Sequence, residues 1–576
     1  MQYRGWPIAT AMMIALSACS GGGGGASGGV GVIPPAPTPS PSPSTNTTLT
    51  NLVASQAFTN DANGMNIALD LTTKTGISGA MRPGALTVSY DATTKGYTVT
   101  TDGRTQSFGQ RDVETSDTGE TIYAKTGTDH DRLTVVKIPY SNTKAMEYVG
   151  LAYWQHDQLS STRQDTDFAI FAYGLPTLSA AVPRTGTAAF RTDMFGAVSA
   201  PGWEPRSFVG AGDYSVDFAA GIFAMHSYLG ERTLATGAGV SGGGIEFSGA
   251  GRLSASDGSF SGNALYEGWF GAAGGTLSGR FYGPGATELG GSFSGSNSRG
   301  MTVVGGFTGQ RDPALSPQNL TLTNMTKSQL FYAQFGNGLV SQLNWQNSDT
   351  FTFSPPTSDM YGGQFTVADK VAAGDPNFTA YHKSFTGTLD TQDVTLKMYK
   401  PGSGNTELAL TYASFAHWAT TVRYGLGRRP VNLYAAYGLE TPAGLLSGKT
   451  GTGHYSGILY GTGANSTASL LYDVKGTSSF DVNFGSQNYT GALAMTGTEQ
   501  AGGGTIDFGS FDVAGRLTMT GVTGTLTRGG VEMGQFAPRF YGPDGEEIVA
   551  PFSINVQPGN PGSGLAISGV AAAKRQ

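Results

Sequence analysis

The chain has 576 residues with a net charge of −7 and only 13% charged residues, and its pI is near 5.4. An acidic chain without a basic, aromatic-interleaved stripe has no general case for nucleic-acid binding. Eighty-eight glycines exclude a largely helical protein, and the length exceeds what one hydrophobic core serves, so several domains are expected.

In chain order, the first segment is MQYRGWPIATAMMIALSAC. One basic residue, Arg4, precedes a short apolar run from Ala9 to Leu16 and then small residues. A run this short predicts a secretory signal and not a membrane span. Cys19, the sole cysteine of the sequence, follows Leu16-Ser17-Ala18; this ending resembles a bacterial lipobox, which implies cleavage after residue 18 and acylation of Cys19. Residues 19–49 then read as a tether, with a flexible glycine run followed by a proline-alternating run stiffened towards polyproline II. No other window is long and apolar enough to span a bilayer, so the lipid would be the membrane attachment.

From about residue 50 the pattern becomes period-two alternation with turn punctuation, as in LTVSYDATTKGYTVTTDG from Leu86, GALAMTG from Gly491 and GRLTMTG from Gly515. That predicts antiparallel sheet folded into sandwiches or barrels. The pattern also repeats. YVGLAYW at Tyr148 matches YASFAHW at Tyr412, and AYGLPT at Ala172 matches AYGLET at Ala436, both 264 residues apart. TGTAAF at Thr185 matches TGTGHY at Thr450, and RFYGP at Arg280 recurs at Arg539, offsets of 265 and 259. Nearly constant offsets mean two copies of one unit that differ by loop insertions.

The lipobox, the glycine-rich tether, the two copies and the phrase RFYGP followed by Glu288 or Glu547 resemble the transferrin-binding protein B family of surface lipoproteins. The resemblance implies an all-β chain of two homologous lobes, each a small β-rich handle domain followed by an eight-stranded antiparallel barrel. It places handles at 50–165 and 312–430 and barrels at 166–311 and 431–570. It further implies an outer-membrane, cell-surface lipoprotein that binds an iron-carrying protein or another nutrient and delivers it to a TonB-dependent receptor. The repeated phrase is expected to close each barrel, with Glu288, Glu547, Tyr148, Trp154, Tyr412 and Trp418 in structural roles. The lack of further cysteines and the sparse charge depart from larger family members, so the cargo need not be transferrin.

Enzyme signals are weak. Gly239-Val240-Ser241-Gly242-Gly243 fits G-x-S-x-G, but strand-like sequence follows it where a helix is required. Residues 443–450 nearly spell a phosphate-binding loop, with Ala443 where glycine is needed. The pairs His130-Asp131 and His156-Asp157 make no triad or metal site by themselves. No catalytic residue, metal or resident cofactor is therefore expected. Direct haem capture is an alternative, with His156, His226, His417 and Met225 as ligands by type; a structural or adhesive role is another. The clearest candidate for ligand contact is the loop AVSAPGWEPRSFVGAGD, which offers Trp203, Arg206 and Phe208 where the second copy has the bland GTGANSTASLLYD. Tryptophan and arginine most often anchor interfaces, and loops carry them without disturbing a barrel.

Overall fold

The computed structural model describes residues 45–576 except 83, 102, 128, 142–143, 241–243, 337, 349, 388–389, 466–469, 519–520 and 557–563, and except the side chain of 424. The expected signal segment, the lipidation site Cys19 and most of the tether lie outside the described residues, as does Ser241. Among the described residues no helix is long and apolar enough to cross a membrane.

Each lobe is an open antiparallel sheet followed by a barrel. The first sheet has ten strands, from Gln56–Asp70 to Arg163–Gly174. Its hairpins follow local turn chemistry. Between Leu86–Asp91 and Gly96–Thr101, the Asp91 carboxylate accepts from Thr93 N and Thr94 N at 2.7 and 2.9 Å, and Lys95 takes φ 50°. One face of the sheet buries Val88, Val99, Phe108, Tyr123, Leu133 and Trp154. The other lays Met65, Ile67, Leu151 and Ile170 on Phe195, Ala197, Val209 and Val304 of the barrel's outer wall. Burying apolar side chains on both faces locks the sheet to the barrel, at roughly 25 cal/mol for each Å² removed from water.

The first barrel runs from Thr187–Ser199 to Thr302–Arg311 in eight antiparallel strands. Its first and last strands pair from Phe190↔Arg311 to Ser199↔Thr302, which closes it. Inward positions carry large side chains, including Tyr214 stacked on Phe223 at 5.0 Å, so the lumen is a packed core and not a channel. The second lobe repeats the plan with a nine-stranded sheet from Gln329–Phe335 to Gly427–Gly438, then strands from Thr452–Asn465 to Leu565–Arg575. Here one barrel strand is interrupted at Ala537-Pro538, where proline lacks a ladder N–H. The register is unbroken across the gap, Phe536↔Phe552 on one side and Arg539↔Val549 on the other. The pairing of Thr452–Asn465 with Leu565–Arg575 then closes this barrel too.

The divisions drawn from sequence at 165/166 and 430/431 need correction. Both fall inside strands of the open sheets, Arg163–Gly174 and Gly427–Gly438, each paired along its length with the preceding strand. The sheet gives way to the barrel between 174 and 187 in the first lobe and between 438 and 452 in the second.

The repeated phrases prove to be two halves of one lock. In the first lobe, Thr177 N donates to Phe281 O at 2.9 Å, Gly283 N to Leu175 O at 3.2 Å, and Thr177 Oγ1 to Gly283 O at 2.6 Å. The second lobe repeats this with Thr441 N to Phe540 O at 2.8 Å and Gly542 N to Leu439 O at 3.0 Å, and Thr441 Oγ1 donates to Gly542 O. The buried Glu288 carboxylate accepts from the backbone N–H groups of Glu147, Tyr148 and Val149 at 2.8, 2.8 and 3.0 Å; Glu547 accepts from Thr411, Tyr412 and Ala413 in the same way. Tyr148 and Tyr412 pack over Gly283 and Gly542, where an added Cβ would lie 2.4 and 2.6 Å from the rings. Closure itself is made elsewhere, by the first and last strands. RFYGP is repeated because each barrel must be docked to its own sheet.

The lobes meet along the outer wall of the first barrel. The helical turn Ala443–Leu446 places Leu445 against Ala250 and Leu265. Arg252 Nη2 bonds Glu546 Oε1 at 2.6 Å, and Asn263 Nδ2 bonds Asp544 Oδ1 at 2.9 Å. This explains the near-miss phosphate loop, whose Lys449 is committed to Asp544.

Candidate functional site

The loop singled out by sequence lies at the barrel end that also carries the 269–270 hairpin tip, and its three residues separate there. Strand Arg206–Asp217 places positions 206, 208, 214 and 216 on one face, and that face is the lumen: Phe208, Tyr214 and Val216 are fully buried. Phe208 packs between Tyr266 at 5.1 Å and Phe293 at 6.1 Å. Arg206 is buried as well, with Nη1 2.7 Å from Glu231 Oε2. The expectation that Arg206 and Phe208 offer themselves to a ligand is therefore corrected: strand alternation turns both inward. Trp203 precedes the strand and stays 55% exposed.

Around Trp203 the structure assembles residues that sequence reasoning missed. The hairpin joining Ser259–Gly268 to Gly271–Tyr282 carries Trp269 and Phe270 at its tip. Trp269 is 49% exposed. Phe270 lies under Trp203, ring centroids 5.8 Å apart. The Arg206 guanidinium sits 4.3 Å from the Phe270 centroid and 5.5 Å from that of Trp269, within cation–π range. Glu231 anchors the group, accepting from Tyr266 Oη at 2.5 Å and Trp269 N at 3.3 Å in addition to Arg206. Gly268 is required at the start of the tip, because a Cβ there would meet Glu231 Oε1 at 2.4 Å.

The backbone holds these groups in place before any ligand arrives. Gly76 of the open sheet donates to Trp203 O and accepts from Gly202 N, each at 2.8 Å. Leu234 N donates to Pro205 O at 3.0 Å, and Ala235 N to Glu204 Oε1 at 2.9 Å. Three loops are thus tied to one another and to the sheet, so the two exposed indoles are presented with little ordering cost left to meet on binding.

Among the described residues of the second barrel this arrangement does not recur. By register, Tyr472 stands where Arg206 is and Gly497 where Glu231 is. The hairpin tip Gly268-Trp269-Phe270-Gly271 becomes Arg528-Gly529-Gly530-Val531. The signal was present in the sequence at an offset of 260 between Gly268 and Arg528, close to that of the RFYGP pair.

The residues considered for haem are not brought together. His156 lies in the first sheet, its Nδ1 2.9 Å from Asp131. Met225 is buried in the lumen of the first barrel, while its neighbour His226 is on the outer wall beside Glu246 at 3.2 Å. His417 lies in the second sheet, stacked on Tyr434 at 4.4 Å and bonded to Asn432 at 2.9 Å; burial pushes it down to about 4. No two of them flank a common space, and the set does not fit a haem. Among the described residues no group of three or more His, Cys, Asp or Glu is placed to hold a metal ion.

No protein-family model matches the chain, and no curated protein matches it. Among solved structures it is similar to the transferrin binding protein B of Haemophilus parasuis Hp5, with 17% identity over 77% of this chain and 85% of that one and a TM-score of 0.27. It is also similar to intact Ap-TbpB with N and C lobes, with 14% identity over 89% and 95% of the two chains and a TM-score of 0.28. The N-lobe domain of lactoferrin binding protein B of Moraxella bovis is 14% identical over 46% of this chain and all of that one, with a TM-score of 0.21.

Proposed function

We propose that this chain is a lipid-anchored surface protein, attached through Cys19, that captures an iron-carrying protein on the rim of its first barrel and passes it to a TonB-dependent outer-membrane receptor. The observation that carries the reading is the asymmetry of two otherwise matching lobes. Only the first presents a pair of half-exposed tryptophans on a pre-tied rim, and selection of fold alone gives no reason for indoles at a hairpin tip where the other copy uses Gly-Gly. Trp203 and Trp269 make the contact, while Arg206, Glu231 and Phe270 hold them from beneath. Tryptophans seated this way are the side chains from which interfaces draw most of their energy. Because the rim sets Glu204 and Glu267 beside Arg232 and Arg299, without a net sign, the association is expected to depend weakly on salt.

The test uses the soluble chain from residue 45 onward, immobilised, against iron-loaded transferrin and lactoferrin and against haem. Retention of one carrier protein by the native chain and its loss on Trp203→Ala with Trp269→Ala supports the reading. Equal retention by both overturns the site, and a haem-coloured eluate with no protein overturns the cargo.

A further inference from the structure

The connection leaving strand Asp129–Val136 in the first lobe crosses from the sheet to the barrel wall, and two carboxyl groups hold it there. Lys137 N and Ile138 N both donate to Gly119 O, at 2.7 and 3.0 Å. Tyr140 N and Ser141 N then donate to the two oxygens of Asp193, on barrel strand Thr187–Ser199, at 3.0 and 2.5 Å. The Tyr140 hydroxyl donates to Glu120 Oε2 at 2.9 Å and lies 3.3 Å from the Tyr153 hydroxyl. Asp193 and Glu120 are 5% and 7% exposed, whereas Lys137 and Ser141 are at the surface.

A buried carboxylate ordinarily has a basic partner. Among the described residues neither Asp193 nor Glu120 has one; hydroxyl and backbone N–H groups are what favour their charged forms. The basic groups nearby have other partners. Arg191, two positions before Asp193, pairs with Asp312 at 2.7 Å, and Arg132 pairs with Glu114 at 2.8 Å. Lys137 bonds Ser116 Oγ and Asp117 O at 2.9 and 2.8 Å. Lys144 and Glu147, further along the connection, are exposed, as is Asp213 on the adjacent barrel strand. The ladder neighbours of Asp193 are Ala211 and Thr308, which carry no charge. Burial therefore pushes Asp193 up to about 7 and raises Glu120 above its ordinary value.

The second lobe ties its equivalent connection with neutral groups. By register, Ile458 stands where Asp193 is and Phe378 where Glu120 is, and both belong to the apolar seam of that lobe. Asn377 Oδ1 accepts from Thr406 N at 3.0 Å, and Asn405 Oδ1 accepts from Glu407 N at 3.0 Å and Leu408 N at 3.2 Å. Glu407 on that connection is exposed, and its Oε2 accepts from Tyr460 Oη at 2.5 Å. Amides and apolar packing serve the fold there, so the buried acids of the first lobe are not a requirement of the architecture.

We propose that residues 137–141 form a proton-operated latch on the seam between the first sheet and its barrel, shut while the Asp193 and Glu120 carboxyls are neutral and released when they ionise. An ionised carboxylate under the closed segment lacks water and a cation, and lifting Tyr140 and Ser141 restores the water. The proton leaves to solvent as the segment lifts. Between about pH 4 and pH 7 the closed state holds one more proton on Asp193 than the open state, so opening increases with pH through that window and levels off above it.

Hydrogen exchange followed residue by residue from pH 5 to pH 8, corrected for the intrinsic pH dependence of amide exchange, reads the latch directly. For the Tyr140 and Ser141 amides, the Asp193 proton is expected to raise the open fraction about tenfold per pH unit up to pH 7, with a plateau above. The Thr406 and Glu407 amides, held by asparagines, are the control within the same chain and are expected to stay flat. So are those of Ala152 and Trp154 in the neighbouring strand. Asp193→Asn, which is neutral at every pH, is expected to remove most of the rise. Because the native chain carries its own controls, the pH series decides the matter without the variant should that fold poorly. A flat profile at Tyr140 and Ser141, an equal rise at Thr406 and Glu407, or an undiminished rise in Asp193→Asn overturns the proposal. So does a parallel rise at Ala152 and Trp154, because the whole lobe would then be opening and not the latch.

Discussion

Arg206 and Trp203 stand three positions apart and have opposite roles, one buried and ion-paired, the other exposed. Removing the guanidinium leaves Glu231 in the lumen with a buried, unpaired charge, a loss of roughly 3–5 kcal/mol. Arg206→Ala is therefore expected to lower the unfolding temperature markedly, whereas Trp203→Ala should leave it nearly unchanged and weaken carrier binding by roughly tenfold or more; thermal unfolding and a binding titration on each variant separate the two. The inward course of Arg206 was legible in the sequence. Counting back in twos from Tyr214 and Val216 reaches Phe208 and then Arg206, and only the chemistry of the residue types argued otherwise. Asp193 shows a different residue-scale effect. It is buried between barrel and sheet, accepting from Tyr140 N and Ser141 N, and burial pushes it up to about 7. Its folded value lies above its unfolded one, so the folded state binds the extra proton between about pH 4 and pH 7, and stability from this group falls as pH rises through that window. The drop in unfolding temperature between pH 5 and pH 8 should be smaller in Asp193→Asn than in the native chain, and an identical drop would remove Asp193 from the account.

At the scale of elements, the rim is the product of two turns that the sequence separates by more than 60 residues. The central pair of the Gly268–Gly271 tip can be exchanged for Gly529-Gly530 of the second barrel, because both pairs span the same step between paired strands. Replacing Trp269-Phe270 by Gly-Gly takes the aromatic floor from under Trp203 and opens the Arg206 guanidinium to water. Carrier binding is expected to vanish while strand content, read by far-ultraviolet circular dichroism, stays the same. Retained binding would show that Trp203 acts alone. The strands themselves were readable from alternation and turn residues. What could not be read was the company of Trp203, because the contact between 200–205 and 268–271 is set by barrel closure and leaves no local periodicity. The boundary between sheet and barrel was hidden for a related reason: Arg163–Gly174 keeps both partners to its last residue, and the chain pairs with the barrel just beyond it at the isolated Pro176↔Tyr282 bridge, with no change of composition to mark it.

At the scale of the whole molecule, the two copies retain the lock and diverge at the edges that face solvent. Glu288 and Glu547 each gather three backbone N–H groups from the strand that enters the sheet, and burial raises both carboxyls above their ordinary value. A side chain so placed serves as the missing strand partner where sheet and barrel meet, a place neither ladder reaches. Truncation leaves three donors buried without acceptors, at about 1–3 kcal/mol each. Glu288→Ala should therefore loosen the first lobe and Glu547→Ala the second. Glu288→Gln, which keeps one acceptor oxygen, should fall between native and Ala. Hydrogen exchange resolves the outcome by position: the amides of Glu147, Tyr148 and Val149 should lose protection in Glu288→Ala while those of Thr411, Tyr412 and Ala413 keep theirs, and the reverse in Glu547→Ala. Loss of protection in both lobes from either substitution would mean that the contact through Arg252, Glu546 and Leu445 couples them into one cooperative unit. In that case binding of a carrier on the first barrel would stabilise the second lobe as well as the first.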